Sequence, residues 1–570
     1  MKRRLTIGIV GAGGDGVVVL GSLLQKLAAS VGYFGQMPRY YGPQIRGGAS
    51  AVKLTLSAEY PSVPQDVVDL LVCFNWERYL ELQYELPFGA NSLIIYDNAP
   101  PEEIVLPQTC VSAGFTRIST EITGTTLAKN IVALGLLKQM LHLPEEPLKE
   151  IVSTEKEFER LRENRVALEA GKRLSAELPV LPLTLYPPQD PSPKVVLDGN
   201  IAIARAALRA GCKAFFGYPI TPASEIMEAM EQQLGRENGI FIQAEDEIAA
   251  IGLAIGASLA GAKAMTATSG PGLDLMTEMI GLASAAEIPV VIVDVQRCGP
   301  ATGIPSKLEQ SDLNHAVYGG HGDAPRVVLA SHDVESCYRL LIEAVNIAEY
   351  FQTPVILLSD QWLGQTTVAT DGTFLSRHYP LIQRKKPGKD EYAKEYQRYQ
   401  MTEDLISPMT SFGDEGFVYQ TTGLTHNEKG VPTFSAAVHQ RMHEKRWNKL
   451  VPLRHRRDLI RVLGNERASR GIITWGSSAQ FVVEAINCLG FQQGIKICIP
   501  ELIYPLPDEI AAFSSSLEKL LVVELNHSGQ FYRYLRSQID LPAKVEVYAR
   551  AGGAPFTLKE LTEPITQLIK

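Results

Sequence analysis

No two of the seven cysteines stand close enough in sequence to hold one metal ion: Cys73, Cys110, Cys212, Cys298, Cys337, Cys488 and Cys498 are dispersed, with no CxxC spacing. A metal site or iron–sulfur cluster held by this chain alone is therefore not expected. Positive charge is also in short supply. Lys and Arg number 54 against 63 Asp and Glu, a formal net charge of −9, which leaves no basic footprint for nucleic acid or an anionic membrane. Long apolar runs are missing too, since the best one, Ile248 to Ala262, is preceded by three acids and followed by Lys263. The opening MKRRLTIGIVGAGGDG begins basic and apolar, but glycine interrupts it and no small-residue cleavage site follows. A strand is expected there, in a soluble, cytoplasmic protein. The absence of a residue-level repeat excludes solenoids.

What is present reads as several globular cores in series. The 570 residues are 45% hydrophobic, ordinary for soluble domains and too many for one core. Pro179, Pro182, Pro187, Pro188, Pro191 and Pro193 make residues 179–194 a stiff linker. The expected fold class is α/β throughout. Residues 1–178 form a first module. Residues 195–370 alternate strand and helix, which implies a parallel sheet with helices on both faces. Residues 371–465 are irregular, and 466–570 form a smaller α/β module.

Gly11, Gly13, Gly14 and Gly16 lie between the first strand and the helical VVVLGSLLQKLAA. Such a turn either cradles a phosphate or serves packing alone. A dinucleotide site would need an acid some twenty residues on to hold a ribose, and VGYFGQMPRYYG has none, which disfavours an NAD-dependent dehydrogenase. Gly14-Asp15-Gly16 could open a thiamine-diphosphate/metal motif, but no Asn closes it up to Ser50. The half of a thiamine site that holds diphosphate and metal is thus not readable here.

GAGGDGVVVLGSLL and RYYGPQIRGGASAVKLTLS, with Tyr41, Gly42, Pro43, Arg46, Gly47 and Gly48, resemble the γ domain of the 2-oxoacid:ferredoxin oxidoreductases. The family commonly has Gln in place of Asp15 and Glu in place of Gln44. Arg46 is either a contact to a phosphate of coenzyme A or an exposed member of an ion pair. The second module resembles the family's α subunit and its pyrimidine-binding thiamine fold. Its Tyr218-Pro219-Ile220-Thr221-Pro222 turn matches YPITP, and the resemblance implies that the Thr221 hydroxyl faces the substrate and the cofactor ring. A helix N-cap at Thr221 or Ser224 is the alternative.

Glu245, Asp246 and Glu247 precede a helix of small residues, where acids are stabilising anyway. The family's AEDEIAAIGLA-like segment implies that Glu247 also carries the proton on N1′ of the aminopyrimidine, its pKa raised by desolvation. Ser269 and Gly270 follow another strand end and join the expected cofactor contacts. Arg297 is the natural clamp for a 2-oxoacid carboxylate, with an interface ion pair as the alternative. Thr302 returns a hydroxyl to the same pocket. Lys307 and His321, in segments similar to the 2-oxoglutarate-type branch, either meet a second carboxylate or are surface residues. Val522 to Gln530 resembles the family's transketolase-C-like module, whose task is subunit contact.

The resemblance implies an α subunit with a fused γ domain, acting on 2-oxoglutarate with thiamine diphosphate and coenzyme A. The implied partners are ferredoxin and a β subunit that carries the diphosphate, Mg²⁺ and a [4Fe–4S] cluster, in a dimer of αβ heterodimers. A pyruvate or broad-specificity enzyme, and a non-catalytic scaffold of the same fold, are the rival readings.

Overall fold

A computed structural model describes residues 2–42, 47–60, 63–145, 147, 163–178, 183–388 and 396–570. Contacts divide the chain into two units, Met1–Asp198 with Gln365–Thr373, and Gly199–Gly364 with Phe374–Lys570.

The first unit is built on a nine-stranded mixed sheet. Its opening strand, Arg4–Ala12, is buried along its apolar run, with Leu5, Ile7, Ile9 and Val10 almost inaccessible. It pairs in parallel with Val68–Cys73 on one side and antiparallel with Ala49–Ser57 on the other. The helix Val17–Ser30 follows through Gly16, whose φ of 72° suits glycine. Two short strands depart from the expected division. Val195–Leu197 and Thr367–Thr370 pair with each other at the far edge of this sheet, the second also pairing with Phe34–Met37, whereas the sequence had grouped both with the second module. Their partner strands lie outside any local pattern. Gln25 fixes the arrangement, its Nε2 donating to the Thr367 carbonyl and its Oε1 accepting from the Thr367 hydroxyl.

The second unit contains two sheets. The larger runs Ile240–Gln243, Ala214–Gly217, Ala264–Thr268, Val290–Gln296, Pro354–Asp360, Val327–Ala330 and Leu502–Tyr504. The first six are parallel, and the last is antiparallel. Val290–Gln296 and Pro354–Asp360 are buried at every residue, which is why both are apolar runs without alternation. The smaller sheet orders Ile460–Gly464, Lys496–Pro500, Arg470–Thr474, Lys519–Glu524 and Lys544–Ala549, parallel after its first strand. Leu502–Tyr504 leaves this smaller module to edge the larger sheet, so the two share one core.

The region expected to be irregular is anchored by buried charge. Arg384 donates to Glu349 and to the carbonyls of Ser258 and Ala262. Arg398 donates to the Glu287 carbonyl, while Lys445 and Lys449, the former on the helix Ala436–Asn448, both bind the Glu287 carboxylate. Among the described residues no helix is long and apolar enough to cross a membrane.

Candidate active site

Apart from His321, the expected site residues of the second unit sit in segments that leave the carboxyl ends of the parallel strands, where open α/β sheets collect ligands. Tyr218 to Thr221 follow Ala214–Gly217, with Tyr218, Pro219 and Thr221 exposed and Ile220 half-buried. The next helix, Ser224–Leu234, is preceded at its N-cap by Ala223 and has no side-chain cap. Thr221 and Ser224 are therefore not spent on capping.

Glu247 is likewise free of capping. Asp246 fills that role, its Oδ1 accepting from the Ala249 amide at 2.7 Å. Glu247 occupies the first helical position of Glu247–Leu259 and is only 4% exposed. Its carboxyl lies against Gly272 in the helix Gly270–Ala285: a Cβ on Gly272 would fall 2.5 Å from Glu247 Oε1 and 2.0 Å from Thr268 Oγ1. Glycine is needed for that approach. Burial, reinforced by Asp246, pushes the Glu247 pKa up, as expected for an acid that must keep a proton to share. Ser269, at the N-cap position of Gly270–Ala285, has its hydroxyl buried without a partner. An orphaned hydroxyl, a buried acid and a glycine cradle, brought together from the ends of two strands that flank Ala214–Gly217, suit a small polar ring, so these residues fit the aminopyrimidine half of thiamine diphosphate.

Arg297 brings three expected residues together. Its Nη1 donates to the Thr221 carbonyl at 2.5 Å and its Nη2 to the Thr302 carbonyl at 3.2 Å. It is 7% exposed, and Nε is buried without a partner. It makes no ion pair among the described residues, and burial lowers its pKa. The guanidinium borders a cleft of about 360 Å³, also lined by Gly270, Pro271, Glu309, Asp312 and Gln530. Lys307 stays in the same loop, its carbonyl accepting from the Cys298 amide and its side chain half-buried. His321 is exposed in the turn before Val327–Ala330.

Two acids escaped the sequence reading. Asp294 is fully buried with neither carboxylate oxygen hydrogen-bonded, and Asp312 has a buried, unpartnered Oδ2. Asp312 packs against Gly270, where a Cβ would lie 2.8 Å from its oxygen. Burial, with Asp312 and Asp274 adding to it, raises Asp294 well above the usual carboxylate range. Burial, with Asp274 and Glu309 adding to it and Ser311 and Arg297 opposing it, pushes Asp312 up to about 7. The available signal was an acid inside the otherwise apolar strand VVIVDVQ.

In the first unit, the glycine-rich turn borders a cavity of about 560 Å³ lined by Ser22, Lys26, Arg39 and Asn130. Asp15 accepts from the Ala12 amide and pairs with Lys129 at 2.7 Å, so its charge is tied into the turn. Arg46 lies outside the described residues. All seven cysteines are unbridged, and among the described residues no cluster of His, Cys, Asp or Glu is arranged to hold a metal.

Residues 205–445 match the family model described as pyruvate flavodoxin/ferredoxin oxidoreductase, thiamine diP-bdg, and residues 6–174 match the one described as pyruvate ferredoxin/flavodoxin oxidoreductase. The chain is 37% identical to 2-oxoglutarate synthase subunit KorA of Methanothermobacter thermautotrophicus, over 65% of this chain and 98% of that one. It is 28% identical to the 2-oxoacid:ferredoxin oxidoreductase subunit alpha of a Sulfolobus species, over 100% of this chain and 97% of that one. A solved structure, the 2-oxoglutarate:ferredoxin oxidoreductase from Magnetococcus marinus with 2-oxoglutarate, coenzyme A and succinyl-CoA bound, superposes with a TM-score of 0.92 at 35% identity, covering 100% of both chains. With both family models matched in series and a solved relative of 35% identity covered over its whole length, the protein belongs to the 2-oxoacid:ferredoxin oxidoreductases as a fused α(γ) subunit.

Proposed function

We propose that this chain is the substrate-binding α(γ) subunit of an enzyme that converts 2-oxoglutarate, coenzyme A and oxidised ferredoxin to succinyl-CoA, carbon dioxide and reduced ferredoxin. The observation that carries the proposal is Glu247, an acid buried against Gly272 with its pKa raised and no capping duty. Thiamine diphosphate, when bound, supplies the carbon nucleophile that attacks the 2-oxo group. Glu247 holds and returns the proton at N1′ of the aminopyrimidine. Tyr218, Pro219, Ile220, Ser269 and Gly270 line the ring's side of the site, and Thr221 presents its hydroxyl towards the 2-oxo group. Arg297 orients the carboxylate that leaves as carbon dioxide, with Thr302 beside it, and Lys307 or His321 meets the second carboxylate.

A β subunit carrying the diphosphate, Mg²⁺ and a [4Fe–4S] cluster completes the site, in a dimer of αβ heterodimers that delivers electrons to ferredoxin in the cytoplasm. Support for a covering partner comes from Ile240, Ile242, Ile248, Leu253 and Leu275, which stand between 40% and 54% exposed on an edge strand and two neighbouring helices. Coenzyme A is proposed to meet the first unit, where Lys26 and Arg39 border the cavity beside the glycine turn and Arg46 follows in sequence. The five-stranded C-terminal module is proposed to be transketolase-C-like.

The test is an anaerobic assay of the chain assembled with its partner, using coenzyme A and a viologen acceptor. A higher kcat/KM for 2-oxoglutarate than for pyruvate is expected. The reverse order would overturn the substrate while leaving the family in place.

A further inference from the structure

The loop that carries Arg297 is tied into the C-terminal module by two adjacent residues that do different work. Gln310 is inaccessible to solvent and anchors the loop: Nε2 donates to the Trp475 carbonyl at 2.7 Å, while Oε1 accepts from the Ser478 hydroxyl at 2.6 Å and the Leu525 amide at 2.9 Å. Its backbone amide adds a bond to the Leu525 carbonyl at 2.8 Å. Glu309 instead reaches back into the turn. One carboxylate oxygen accepts from the Gly299 amide at 3.1 Å, and the other from the Gly552 amide at 3.0 Å. The turn itself is closed by the Ile304 amide on the Cys298 carbonyl and the Cys298 amide on the Lys307 carbonyl. Gly552 must be glycine for the contact to exist, because a Cβ there would lie 2.1 Å from the Leu308 carbonyl and 2.5 Å from Glu309 Cβ.

We infer that Glu309 is a positioning residue for the 2-oxoacid: by bridging the Gly299 and Gly552 amides it holds the Cys298–Ile304 turn, and with it Arg297 and Thr302, in the shape that grips the substrate carboxylate. The C-terminal module thereby shapes the substrate site, beyond any part in subunit contact. This rests on the reading of Arg297 as the carboxylate clamp. A carboxylate is suited to the task because it accepts two amides at once, and an isosteric amide would turn a donor towards one of them. Gln310 keeps the loop on the module when Glu309 is changed, so the effect of a substitution falls on the shape of the turn.

The experiment uses the assembled enzyme. Glu309→Gln should raise the KM for the 2-oxoacid roughly ten-fold, as expected for one misplaced buried donor. The KM for coenzyme A should stay within about two-fold and the melting temperature should hold. In an Arg297→Ala background, Glu309→Gln should add no further rise, because it acts through Arg297. Gly552→Ala, which opens the same contact from the other side, should reproduce the KM effect and serves if the first variant folds poorly. A wild-type KM in both variants, or a full additional rise in the Arg297→Ala background, overturns the inference. If Arg297→Ala itself leaves the 2-oxoacid KM unchanged, it is the clamp reading that falls.

Discussion

The Nη1 of Arg297 donates to the backbone carbonyl of Thr221 over 2.5 Å, so the cation assigned to the substrate also supports the turn that presents the assigned catalytic hydroxyl. Its planar fork reaches Thr302 at the same time. An ammonium cannot span both carbonyls in one plane.

Arg297→Ala should therefore raise the KM for the 2-oxoacid and lower kcat together, with kcat/KM falling on the order of 10²-fold, because the carboxylate must stay fixed while its bond breaks. Arg297→Lys should recover only part of the loss. Steady-state kinetics of the assembled enzyme decide it, and unchanged constants in Arg297→Ala would remove the residue from the site.

Asp312 gives a pH signature. Its folded-state pKa is pushed up to about 7, above the unfolded value near 3.8, so the folded form retains a proton that the unfolded chain releases. The resulting stability is fully present below the unfolded pKa and is lost as pH rises through about 7. Asp312→Asn should flatten the decline in melting temperature across that window and leave the variant more stable at its upper end. Parallel curves for the two proteins would contradict the assignment.

Glu287 is the hub of the buried charge network, accepting from Lys445 at 2.5 and 2.7 Å and from Lys449 at 2.9 Å. Glu287→Gln leaves two buried ammonium groups without their carboxylate, and breaking such a pair typically costs about 3 to 5 kcal/mol. Glu237→Gln, which breaks a half-exposed pair with Lys213, should cost about 1 kcal/mol or less. Calorimetry of both variants measures the contrast, and equal losses would contradict it.

The alternation of strands and helices from residue 199 to 360 was legible because a parallel sheet covered on both faces needs apolar strands separated by amphipathic helices. The glycine turn, the YPITP segment and the acid before the small-residue helix each lie where a strand gives way to a helix, as the alternation implied, while the roles proposed for them rest on the family resemblance. Val195–Leu197 and Thr367–Thr370 were not legible, because strands this short acquire their sheet from partners remote in sequence: they pair with each other, and Thr367–Thr370 pairs also with Phe34–Met37. Asp294 and Asp312 were equally hidden. Only the folded sheet shows that one has no hydrogen-bond partner and that the other faces a glycine. Glu287 and Lys445 are separated by 158 residues, and no local charge pattern announces them.

Glu247 carries the central claim, and deuterium exchange at C2 of thiamine diphosphate bound to the assembled enzyme tests it most directly. Glu247→Gln keeps the size of the side chain and its ability to hydrogen-bond but removes the acidic proton that it could transfer. Burial disfavours the charged form of Glu247, so a neutral amide of the same size suits the site and the variant should fold. Its C2 exchange should slow by about 10²- to 10⁴-fold, the usual worth of a positioned proton transfer. Glu245→Gln, at an exposed position, and Asp246→Asn, which keeps the helix cap, should exchange as fast as the parent. Exchange at the parent rate in Glu247→Gln would contradict the account.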